Sequence, residues 1–74
     1  MTQEMADIIG TAAGDPGCKI MATGLEEDEP KAYASELFHC IDQVFVCHIG
    51  GVLRATEHGV MMRRAAIDAG EVRA

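Results

Sequence analysis

Val44-Phe45-Val46-Cys47-His48-Ile49-Gly50-Gly51-Val52-Leu53 is an apolar run with a Cys-His pair at its middle and a Gly-Gly pair near its end. It is bounded by Gln43 and Arg54 and is ten residues long, whereas a bilayer crossing needs about twenty. The run must therefore be covered by protein rather than by lipid. Whether it is helix or hairpin decides the fold.

Read backwards from the run, Ala34, Leu37, Phe38, Ile41, Val44, Phe45, His48, Ile49 and Val52 recur at spacings of three and four. Glu36, His39, Cys40 and Gln43 take the other side, which is the pattern of an amphipathic helix. A start signal precedes it: Glu26-Glu27-Asp28-Glu29 places negative charge where helical N–H groups lack partners, and Pro30 suits a first helical position. The competing reading is a β-hairpin, because β-branched residues flank Gly50-Gly51, a two-residue turn signal. Two glycines inside a helix would cost about 1 kcal/mol each relative to alanine. The stripe is continuous from Ala34, while strict alternation is absent from 44 to 49. The favoured expectation is thus a long helix that continues through, or breaks at, the glycine pair. The alternative is an α+β fold with a hairpin at 43–56.

On either side the signals are local. From Thr2 to Ala13, Met5, Ile8, Ile9 and Ala12 follow helical spacing, with Thr2 as cap, Glu4 in the first turn and Gly14 as stop. Asp15-Pro16-Gly17 reads as a turn, and the next six residues are too short to assign. Thr56 caps a final helix over about 57–69 that stops at Gly70. Its apolar side, Met61, Met62, Ala65, Ala66 and Ala69, suits core or a partner surface, with core favoured. The expectation is a mainly α, compact single domain over 1–74, of three to four helices, with its core on the 34–53 stripe.

A chain of 74 residues has room for only a small core, and such domains often finish burial against another subunit, so a homodimer is one expectation. The net charge is -6. Residues 1–53 hold nine acids against Lys19 and Lys31, and residues 54–74 hold three acids against four arginines. That field repels phosphate backbones and favours basic partners. Three cysteines cannot all pair within the chain, and no secretory signal pattern opens it, so a reducing, cytoplasmic setting is expected. No membrane association is expected.

Several chemistries are weighed on the residues. His39, Cys40, Cys47, His48 and His58 include enough nitrogen and sulfur for a zinc module, but no Cys-x-x-Cys or His-x-x-x-His spacing is present. On a helix Cys40 and Cys47 lie roughly 10 Å apart along the axis, beyond what zinc-sulfur bonds or a disulfide can bridge. Cysteine catalysis needs a base facing the thiol, and neighbours such as Cys47 and His48 do not face each other on a helix. Gly14 to Lys19 lacks the spacing of a phosphate-binding loop. Arg54, Arg63, Arg64 and Arg73 give a basic C-terminal third, so a DNA-binding regulator is an alternative that the overall charge opposes. No catalytic residue, metal ligand or cofactor is assigned.

The leading expectation is a small acidic protein–protein interaction module, an inhibitor or regulatory partner of a larger assembly. Its candidate contacts are Glu26, Glu27, Asp28, Glu29 and Glu36, facing a basic surface, with Tyr33 as an aromatic anchor. In size and acidity the chain is similar to small phage-encoded inhibitors of bacterial defence, anti-CRISPR proteins among them. That likeness rests on no specific residue and implies a target that handles nucleic acid.

Overall fold

A computed structural model describes residues 1–14 and 30–74, with side chains from residue 35 onward in the second segment. Three helices and one two-stranded antiparallel sheet follow in the order α1 (Gln3–Ala12), α2 (Pro30–Asp42), β1 (Val46–Ile49), β2 (Val52–Ala55) and α3 (Glu57–Asp68).

The outer helices form where their caps predict. Thr2 is extended, and its hydroxyl accepts from the Met5 N–H at 3.1 Å, satisfying one of the donors a helix start leaves open. α1 turns Met5, Ile8 and Ile9 into the core, and Gly14 follows it in the left-handed region. Thr56 repeats the arrangement for α3, accepting from the Gly59 N–H at 2.9 Å. At its far end, the N–H of Glu71 reaches the Ala66 carbonyl and that of Gly70 reaches Ile67. This is a Schellman stop, with Gly70 at φ 75°.

The expected long helix is overturned. α2 ends at Asp42, and residues 46–55 form a hairpin in the register Val46–Ala55, Cys47–Arg54, His48–Leu53 and Ile49–Val52. Gly50 and Gly51 make its two-residue turn with φ of 60° and 78°. Positive φ at both central positions is what a type I′ turn requires, and only glycine adopts it without strain. The α+β alternative with a hairpin at 43–56 therefore fits as well as the mainly helical description.

α2 also closes with a Schellman pair, Phe45 N–H to Cys40 O at 2.8 Å and Val44 N–H to Ile41 O at 3.0 Å. The left-handed position is filled by Val44, at φ 61°. A β-branched residue there is strained by about 1–2 kcal/mol. The stop is held from outside: the Thr56 hydroxyl donates to the Val44 carbonyl, and the Thr56 N–H donates to the Phe45 carbonyl at 2.9 Å.

The core does not follow the 34–53 stripe. It joins Met5, Ile8 and Ile9 of α1 to Cys40, Phe45 and Val46, with Leu37, Ile41, Leu53 and Ala55 partly buried around them. Cys40, expected on the polar side of α2, is fully buried, whereas Phe38 is 65% exposed. The buried face of α2 is thus rotated toward residues 37, 40 and 41, because α1 packs on that side. A second cluster, Ala6, Ala66 and Val72, holds α3 and the C-terminal tail against α1. The Gln3 amide clasps the tail, accepting from the Arg73 N–H at 2.8 Å and donating to its carbonyl at 3.2 Å.

Candidate functional site

Strand alternation disposes of the Cys-His pair as a unit. The hairpin register sets Cys47 beside Arg54 on one face and His48 beside Leu53 on the other, so the two side chains diverge. Cys47 is half-buried and His48 exposed. Cys40 sits apart in the core, its thiol 3.9 Å from the Met5 carbonyl. Burial, with the Glu36 charge adding to it, pushes the Cys40 thiol up to about 11, so it stays protonated and weakly nucleophilic at neutral pH. His58 rests against Phe45, ring centroids 5.5 Å apart. Among the described residues no group of three or more His, Cys, Asp or Glu side chains could hold a metal ion. Nor is any described helix long and apolar enough to cross a membrane.

The expected contact residues divide. Glu26, Glu27, Asp28 and Glu29 lie outside the described residues, and Tyr33 is placed only by its backbone, within α2. Glu36 is half-buried and accepts from the Thr2 hydroxyl at 3.1 Å, which fixes its carboxylate beside the start of α1. The arginines are spread out: Arg54 on the hairpin, Arg63 and Arg64 on α3, and Arg73 on the tail.

What the structure adds is apolar surface. The face of α3 expected to favour core buries only Ala66, while Met61 is 65% and Met62 42% exposed. α3 lies so that Gly59 and Ala66 meet the rest of the molecule, and Met62, Ala65 and Ala69 border a groove of about 560 Å³. Across it stand Met1 and Met5 on the α1 side and His39 and Gln43 at the end of α2, with Phe45 also in the lining. On the hairpin, the cross-strand partners Ile49 and Val52 are 62% and 51% exposed. The methionine and alanine spacing on the last helix was the available signal for the groove. The sequence could not say that α1 and α2 would stand back from it.

No family model matches the chain, and neither the curated proteins nor the solved structures compared with it give a match.

Proposed function

We propose that the protein is a small acidic protein–protein interaction module, acting as an inhibitor or regulatory partner of a larger assembly. The observation that carries this reading is the amount of large apolar surface left uncovered on α2, the hairpin and α3. Phe38, Ile49, Val52, Met61 and Met62 are all at least 42% exposed in a chain of 74 residues with a charge of -6. Exposed apolar groups of this size on a small domain mark interaction sites, and the net negative charge of the whole chain biases the partner toward basic surfaces. A basic groove that binds nucleic acid on such an assembly has the complementary charge. The free thiols of Cys40 and Cys47 suit the reducing, cytoplasmic setting expected from the cysteine count.

The test is a pull-down from the native host followed by mass spectrometry. A stoichiometric protein partner is expected, with weaker capture when Glu26 to Glu29 are reversed to lysine. Recovery of no partner, or of DNA alone, would sink the reading. Undiminished capture by the reversed variant would remove the acidic docking patch.

A further inference from the structure

Resting on that interaction reading, we propose that the groove between α1 and α3 receives one amphipathic helix of the partner, with bulky apolar residues along one face and lysine or arginine beside them. Shape is the first argument. Ala65, Ala66 and Ala69 end at Cβ, so a partner helix axis can approach α3 at the close end of the usual 8–10 Å range. Met1, Met5 and Met62 provide unbranched, adaptable side chains that repack around whatever enters. Met62, Ala65 and Ala69, all exposed, follow at i, i+3 and i+7, giving an apolar row of about 10 Å, or two turns of a facing helix. Met61 extends that surface beyond Ala65, one turn away on the same side of α3.

Charge is the second argument, and it selects the partner. No lysine or arginine lines the groove among the described residues, whereas Glu71 does. Glu36 is held next to it by the hydroxyl of Thr2, itself a lining residue. On a chain of net charge -6, a second copy meets repulsion, and a helix flanked by cations meets attraction. Burying Met1 and Met62 against apolar anchors supplies affinity, while Glu71 at the edge, with Glu36 beside it, sets which helices enter.

The proposal is tested on the full chain with a synthetic peptide of about 18 residues, long enough for an isolated helix to form. Leucines at i, i+3, i+4 and i+7 are flanked by lysines, and a twin carries glutamate in place of every lysine. Titration into methyl-labelled protein should shift the Met1, Met5 and Met62 resonances. The glutamate twin should bind at least about tenfold more weakly. Ala65→Lys, which fills the groove from an exposed helical position, should weaken the lysine peptide by about as much. Ala69→Lys serves if that variant fails to fold. Val60→Lys, on the opposite side of α3, should bind as the unaltered chain does. Equal binding of the twin, shifts confined to other residues, or undiminished binding by a folded Ala65→Lys variant would each overturn the proposal. So would a dimer in sedimentation that Ala65→Lys dissociates, because the occupant would then be a second copy. In the native pull-down, a partner retained by Ala65→Lys removes the groove but leaves the interaction module. Absence of any partner removes the module itself.

Discussion

The carbonyl oxygen of Phe45 occupies the space in which a side chain on Gly59 would begin: a Cβ built there lies 2.0 Å from that oxygen. The first turn of α3 therefore rests directly on the main chain that links α2 to the hairpin. In an open helix, glycine to alanine would gain about 1 kcal/mol. Here the obstacle is backbone, which no rotamer change can clear. Gly59→Ala should lose more than about 3 kcal/mol of stability, read as a fall in the denaturant midpoint. A variant as stable as the parent would mean that α3 does not sit on Phe45.

Val44 and Gly70 hold the same position in two Schellman stops, at φ 61° and 75°. Only one of them is a residue suited to it. Val44 is 59% exposed, so removing its side chain sacrifices little packing. Val44→Gly should raise stability by about 1 kcal/mol, whereas Gly70→Val should lower it by a similar amount. Equilibrium urea unfolding of the pair checks both signs.

Thr56 works in two directions at once. Its hydroxyl accepts from Gly59 N–H and donates to the Val44 carbonyl. Thr56→Ala should cost about 1–2 kcal/mol, and Thr56→Ser should recover most of it by keeping the oxygen. Far-UV circular dichroism during thermal melting measures the series. If serine proves no better than alanine, the threonine acts through its methyl group instead.

Cys40 makes stability fall in alkali. Its thiol lies at about 11 in the fold, above the ordinary value of 9.0 that the unfolded chain regains. Below pH 9 both states are protonated and pH has no leverage through this group. Between about 9 and 11 the unfolded chain loses the proton first, so stability declines, by up to about 2–3 kcal/mol. Cys40→Ala should start lower, because a buried side chain is shortened, yet lose less over the same interval. Parallel curves for the two proteins would refute the assignment.

The ends of the outer helices were legible because each carries its own chemistry: Thr2 and Gly14 bracket α1, and Thr56 and Gly70 bracket α3. The end of α2 carries no such mark. Val44 stands where glycine is preferred, and the stop depends on Thr56, twelve residues onward, gripping its carbonyl. Spacings of three and four ran through Phe45, Ile49 and Val52 and hid the turn that Gly50-Gly51 announced. Cys40 shows the same limit on burial. Its helical phase put it among polar neighbours, but the side of α2 that counts is the one α1 covers. For the candidate site, the Met-Ala face of α3 was visible as a pattern, and its openness is a property of how the other helices pack.

The joint formed by Val44, Phe45, Thr56 and Gly59 is made largely of main-chain atoms and one hydroxyl. Such a joint is indifferent to what neighbouring side chains are, provided residues 56 and 59 are kept. Ile49, Val52, Val60 and Met61 can then change without loosening the frame that carries them. Under selection to follow a changing target, the protein could alter its outer face one residue at a time while its fold stays constant.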